Sequence, residues 1–192
     1  KQKTAYEIYQ CDWSSDVCSS DLSYGSSGSG SSDHLSAELF KQQTHTFGVH
    51  IPYRGGAAAQ LDIMAGNIEA SFQNFGTVVP YIRSGKMQAL AVTSRERMPQ
   101  LPQVPTMIES GLADFDVTSW QALVAPKGTP REIVMKLQAD IARGLRSADV
   151  AQRFKDQGFE IVANTPEQAS AFFKSEIDRW SVVVKASGAT VD

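Results

Sequence analysis

The stretch Val49-His50-Ile51-Pro52-Tyr53-Arg54-Gly55-Gly56-Ala57-Ala58-Ala59-Gln60-Leu61-Asp62-Ile63-Met64-Ala65-Gly66 decides the fold. Val49 to Tyr53 is short and rich in residues that suit a pleated strand. Arg54-Gly55-Gly56 turns the chain, and Ala57 to Ala65 reads as a helix that Gly66 stops. The same order of events repeats downstream. Ile68 to Phe72 reads as a strand, Val78 to Arg83 as a helix stopped by Ser84-Gly85, and Met87 to Thr93 as a further strand. Strand–helix alternation at this spacing predicts an α/β fold with a parallel sheet. In open sheets of that kind ligands sit beyond the carboxyl ends of the strands, where these glycine turns fall.

Upstream, Ser23 to Ser32 is a Gly/Ser run with Gly25, Gly28 and Gly30 among serines. Taken alone it reads as a flexible linker. Asp33 to Gln43, however, places Leu35, Leu39 and Phe40 on one helical face behind Ser and Asp capping residues. A Gly/Ser loop that runs into a helix start presents unpaired backbone N–H groups to an anion, which favours a ligand loop over a linker.

Downstream, Ser94 to Pro105 is a charged loop bearing Pro99, Pro102 and Pro105, and Ser94 to Phe115 is the expected seam. Thr106 to Ser110 reads as a short helical piece, and Phe115 to Trp120 and Gln121 to Ala125 as extended chain. Pro126-Lys127-Gly128-Thr129-Pro130 leads into a helix ending near Leu145, with Pro130 well placed in its first turn. A second helix covers Ala148 to Gln157, and Phe159 to Val162 reads as a short strand. Thr165-Pro166-Glu167-Gln168 opens the last helix, whose stripe of Phe172, Phe173, Ile177, Trp180 and Val184 reads as core packing.

Lys1 to Leu22 differs in character and holds both cysteines, Cys11 and Cys18. Lys1 to Ile8 and Cys11 to Leu22 match translations of the two constant parts of an indexed sequencing adapter, with Tyr9 and Gln10 in the variable index. On that reading residues 1–22 belong with tags and fusion scars and carry no function. A natural N-terminal region, with any export signal, is then expected to precede Ser23.

The totals narrow the function. A chain of 192 residues holds one good-sized domain or parts of two, and 42% hydrophobic with 20% charged residues is ordinary for a globular protein. A net charge of −3 argues against general nucleic-acid binding, which needs clustered Lys and Arg. His34, His45 and His50 form no HExxH pattern, and no cysteine beyond residue 22 completes a metal site, so neither metal nor cofactor is expected. There is no phosphate-binding glycine loop of the nucleotide type and no GxSxG elbow. One enzymatic alternative stands: a hydrolytic cluster of Ser31, Asp33 and His34 on an α/β fold.

Six collinear segments carry a resemblance. They are Gly28-Ser29-Gly30-Ser31-Ser32-Asp33-His34-Leu35, Pro52-Tyr53-Arg54-Gly55-Gly56-Ala57-Ala58, Ala89-Leu90-Ala91-Val92-Thr93-Ser94, Leu101-Pro102-Gln103-Val104-Pro105-Thr106, Ser119-Trp120, and Ala125-Pro126-Lys127-Gly128-Thr129-Pro130. Glu176-Ile177-Asp178-Arg179-Trp180 extends the series toward the end. The chain from Ser23 to Asp192 resembles the Bug-type receptors, the substrate-binding proteins of tripartite tricarboxylate transporters.

The resemblance implies a two-domain, hinge-closing, periplasmic-binding-protein-like (type II) α/β architecture. Residues 23–115 would form the ligand-binding second domain, and residues 116–192 the hinge return and helical part of the first. It implies a monomeric, non-enzymatic periplasmic receptor that captures a small carboxylate and delivers it to a membrane permease.

The ligand residues it implies lie on three loops. Gly28, Ser29, Gly30 and Ser31 meet a carboxylate, and Gly55, Gly56 and Ala57 let backbone approach the ligand. Gln73 stands where many relatives carry Asp, which points to a plain di- or tricarboxylate rather than an amino acid. The family's own first-domain segment, with its Pro-Gly-Gly loop, is expected before Ser23. Without it the chain is expected to expose apolar surface and to bind weakly.

Overall fold

The computed structural model describes residues 22–189. Apart from Leu22, the adapter-like segment 1–22 lies outside the described residues. Strands and helices alternate from the start: β1 (Ser23–Ser26), α1 (Ser32–Thr44), β2 (Val49–Pro52), α2 (Gly56–Ala65), β3 (Ala70–Ser71) and α3 (Phe75–Arg83). The three strands form a parallel sheet in the order β2-β1-β3. Ser23 pairs with Val49 and Ser26 with Pro52 on one side, and Tyr24 with Ala70 on the other.

The sequence reading, which prefers a ligand loop to a linker here, does not predict a strand, yet the serine–glycine run opens with the central one, Ser23–Ser26. Its composition is poor for a strand, but packing decides. Successive side chains point to opposite faces, and each face has its own demand. Tyr24 is 3% exposed and turns toward α1, its ring edge-on to Phe40 at 6.3 Å. Gly25 turns toward α2, where a Cβ would overlap Ile68 Cδ1 and lie 3.5 Å from Ala59 Cβ. Only glycine leaves room there for the Ile68 side chain, which follows α2.

On the Tyr24 side, Phe40, Phe72 and Phe115 form an aromatic core with ring separations of 5.9 to 6.4 Å, and Phe115 is fully buried.

Other extended readings shrink. Ile68 to Phe72 contributes only Ala70–Ser71 as a strand. Met87 to Thr93 makes one isolated parallel bridge, Val92 to Thr106, instead of a strand. Two backbone bonds flank it, Val92 N–H to Pro105 O at 2.8 Å and Met107 N–H to Val92 O at 2.9 Å. Val117 N–H donates to Thr93 O at 2.9 Å. Phe159 to Val162 and Gln121 to Ala125 pair with no strand among the described residues, and after the bridge at Thr106 residues 107–110 are a turn.

Two compact units divide the chain. One holds the sheet, running to Ser119 and resuming at Val183; the other is Trp120–Val182. The second unit carries α4 (Arg131–Leu145), α5 (Ala148–Asp156) and most of α6 (Pro166–Ser187). Thr165 and Gln168 close a reciprocal capping box at the start of α6, with bonds of 2.9 and 3.3 Å. Trp120 packs on Phe172 and Phe173 at 5.6 and 5.2 Å, and the indole N–H groups of Trp120 and Trp180 both donate to Glu176 Oε2, at 3.3 and 3.1 Å.

The α6 stripe is only partly core, since Ile177 is 69% exposed. Leu123 and Val124 are also exposed. No helix among the described residues is long and apolar enough to cross a membrane.

Candidate functional site

Parallel strands send all their following turns to one edge of a sheet. Here those turns are 27–31 after β1, 53–55 after β2 and 72–74 after β3, each leading into a helix. They touch one another. Tyr53 N–H donates to Ser26 O at 3.0 Å and Gly55 N–H to Ser27 O at 3.1 Å, which joins the first two turns. A Cβ at Gly56 would stand 3.2 Å from Gln73 Oε1 and 3.9 Å from Ser27 Cβ, which brings in the third. The loop residues expected from the sequence thus meet at the carboxyl edge of the sheet: Gly28 to Ser31, Gly55 to Ala57, and Gln73.

The first turn is tightly specified. Gly28 and Gly30 have φ of 147° and 74°, which side chains rarely adopt. Ser31 N–H donates to Gly28 O at 3.2 Å, Gly28 N–H to Ser26 Oγ at 3.2 Å, and Gly30 N–H to His34 Nδ1 at 3.0 Å. Ser31 caps α1, its Oγ accepting from His34 N–H at 3.3 Å. Ser29 and Gly30 are exposed at the tip.

The second turn differs. Gly55, with φ 102°, precedes α2 and supplies no side-chain cap, so the first-turn N–H groups of α2 lack the partner that a Ser or Asp would give. Asn74 before α3 likewise makes no side-chain cap bond to its helix, and its Oδ1 accepts from Ser119 Oγ at 2.7 Å. Three helix N-termini therefore address one edge, each with a partial positive charge. Arg54 is exposed beside them.

Gln73 is held from inside. Its Nε2 donates to Ser71 Oγ at 2.7 Å and its Oε1 accepts from Gln60 Nε2 at 3.0 Å.

Beneath the first turn lies a polar cluster that sequence reasoning did not assemble. His34 and His50 stack in parallel, ring centres 3.7 Å apart and planes 6° apart. His50 Nε2 is 2.6 Å from Ser26 Oγ, and His34 Nε2 is 3.7 Å from Glu38 Oε1, which Lys41 engages as an ion pair. Burial lowers the pKa of both rings. That of His50 falls from 6.5 to about 4, with the neighbouring His34 as the next cause.

Ser31, Asp33 and His34 do not form the hydrolytic cluster considered from the sequence. Ser31 meets the backbone of His34, not its ring, and that ring's Nδ1 is occupied by Gly30. Asp33 accepts from Ser27 N–H at 3.2 Å. All three groups shape the loop, so no nucleophile–base hydrogen bond is formed. The Ser26–His50 pair is closer to that pattern, but Ser26 is 1% exposed and out of a substrate's reach. No group of His, Cys, Asp and Glu among the described residues can hold a metal ion. A hollow of about 450 Å³ lies at the far end of α3, lined by Ile82, Lys86, Met87, Gln103 and Val104, and shares no residue with these turns.

With the geometry in view, the chain can be set beside known proteins. Residues 15–189 match the family described as tripartite tricarboxylate transporter family receptor. Protein BugT of Bordetella pertussis is 40% identical over 160 residues, which are 83% of this chain and 49% of that protein. The structure of Rpa4515 of R. palustris with adipate superposes with a TM-score of 0.87 at 31% identity, covering 97% of this chain and 62% of that one. MatC of Rhodopseudomonas palustris with bound malate gives a TM-score of 0.79 at 32% identity, over 95% and 62% of the two chains. The periplasmic binding protein BugD gives 0.78 at 34% identity, over 88% and 57%. The α/β fold is that of periplasmic binding proteins, and the chain spans about half the length of BugT.

Proposed function

The chain belongs to the tripartite tricarboxylate transporter receptor family, and on that premise we propose that it supplies half of a periplasmic binding cleft for a small dicarboxylate. Residues 23–115 form one wall, and residues 116–192 are the hinge return and part of the other domain. The boundary between compact units at Ser119 supports the first division, while Val183–Asp192 groups with the sheet. The protein delivers its ligand to a membrane permease and turns nothing over.

The observation that carries this reading is the uncapped first turn of α2 beside the Gly28–Ser31 loop. Aligned N–H groups with no side chain over them suit a carboxylate better than any neutral group. The adipate and malate of the two similar structures point to a four- to six-carbon dicarboxylate. Gln73 favours the same class: it is neutral, so it supplies no charge to pair with an amino group.

A thermal-shift titration with adipate, malate and free amino acids tests the proposal. It is run on this chain and on a chimera in which the first-domain segment of BugT precedes Ser23. A dicarboxylate that raises the melting point of the chimera well above its effect on the chain alone is the expected result. A chimera that melts sharply, ignores every carboxylate and hydrolyses a nitrophenyl ester would overturn it.

A further inference from the structure

The stacked histidines lie directly under the proposed ligand loop, and each is tied to a different part of it. His34 Nδ1 accepts from Gly30 N–H at 3.0 Å. His50 Nε2 lies 2.6 Å from Ser26 Oγ, and that hydroxyl accepts from Gly28 N–H at 3.2 Å and donates to Gly28 O at 3.1 Å. Two rings thus support two glycines of one turn.

We propose that His34 and His50 are positioning residues for the carboxylate loop, His34 holding Gly30 only while its ring is neutral and His50 donating to Ser26 beneath Gly28, so that acid loosens the loop and weakens ligand binding. The inference rests on the receptor reading for its functional consequence, but not for its structural one.

Three physical arguments carry it. An imidazolium has a proton on both nitrogens, so a charged His34 cannot accept from Gly30 and instead sets one N–H against another. Two charged rings 3.7 Å apart repel strongly in a part-buried setting. The surrounding charges offer little relief. On α1, Glu38 favours a proton on His34, Lys41 beside it opposes one, and Asp33 is committed to Ser27 N–H. From β1, Tyr24 adds only a buried phenol near Glu38, and from β2 the facing group is His50 itself. Burial disfavours the charged form of both rings as well.

The test follows the Gly30 amide and the imidazole nitrogens by NMR in the full chain as pH falls from about 7.5 to about 4, the range in which a perturbed histidine titrates. It compares wild type with His34→Asn, whose Oδ1 stands where Nδ1 stood but takes no proton. At neutral pH the His34 nitrogen shifts should report the Nε2–H tautomer. In wild type the Gly30 amide should move and lose exchange protection in step with the rings; in His34→Asn it should stay. A Gly30 amide that is flat through the histidine titration overturns the proposal, even if the variant does not fold.

Adipate is then added near both pH limits to the chimera that carries the first-domain segment of BugT, with and without His34→Asn. The expected result is an affinity loss in acid that exceeds the variant's by about tenfold, the factor for one pKa unit. Equal losses in both proteins overturn the functional consequence. A Gly30 that follows the rings but ignores adipate at every pH counts against the receptor reading and leaves the loop-positioning role standing.

Discussion

The side-chain amide of Gln60 donates to Gln73 Oε1 at 3.0 Å and to Thr77 Oγ1 at 3.0 Å, joining α2, the β3 turn and α3 at one point. From Gln73 the chain of bonds continues through Ser71 Oγ to Gly25 O in the central strand. Gln60 is 6% exposed, so its donors have no easy substitute in water. Gln73→Leu should therefore cost about 1–3 kcal/mol in urea unfolding, the penalty for stranding buried polar partners. Gln73→Glu keeps the acceptor for Gln60 and should cost less.

Acid should destabilise the fold within a defined window. His50 has an ordinary pKa of 6.5 and a folded value of about 4, and His34 is shifted the same way. Between those values the unfolded chain binds more protons than the folded one, so stability falls as pH falls from about 6.5 toward 4. Glu109 and Glu167, both held low by hydrogen bonds, lose theirs only further down. Melting temperature against pH should thus begin to drop near pH 6, and His50→Gln should flatten the upper part of that drop. A curve flat to pH 5 in wild type would contradict the assignment.

Two glycines should respond oppositely to alanine. At Gly25 the new methyl meets Ile68 and Ala59, and overpacking of a tight core costs about 1–3 kcal/mol. At Gly144, inside α4, nothing lies within 4 Å, and alanine should stabilise by up to about 1 kcal/mol through helix propensity. Denaturant melts of the pair read both signs.

Ser31 separates capping from ligand binding. Ser31→Asp retains an acceptor for the α1 N-terminus and should leave stability within about 0.5 kcal/mol. Its carboxylate would face an incoming dianion across the same loop, and adipate affinity in the BugT chimera should fall about tenfold or more. Unchanged affinity would place the ligand away from this turn.

How far the residues themselves revealed this structure depended on range. The α1, α2 and α3 helices were readable because their signals are local: Ser31 and Asp33 at a start, Gly66 and Ser84-Gly85 at a stop. The glycine turns were readable for the same reason. The central strand was not, since Ser23 to Ser26 has little strand propensity and is held by ladders on both sides, with Tyr24 buried on one face and α2 pressed on the other. Met87 to Thr93 failed in the opposite way, having the right composition and only one bridge to pair with. The histidine pair was invisible because His34 lies on α1 and His50 on β2, and nothing in their spacing brings them, or Ser26, 24 residues before His50, together. A ligand loop could be named from its glycines, but not what lies beneath it.

The shared carboxylate of Glu176 has an optical consequence. Trp120 and Trp180, the tryptophans among the described residues, both belong to the Trp120–Val182 unit and both hydrogen-bond that one side chain. Replacement of Glu176 should therefore perturb both indoles at once. The turns 27–31, 53–55 and 72–74 contain no tryptophan of their own. A ligand-induced change in tryptophan emission would thus be a signal from the helical unit and not from the loop itself. Paired with a probe placed at Ser29, it separates local contact from what happens elsewhere in the molecule.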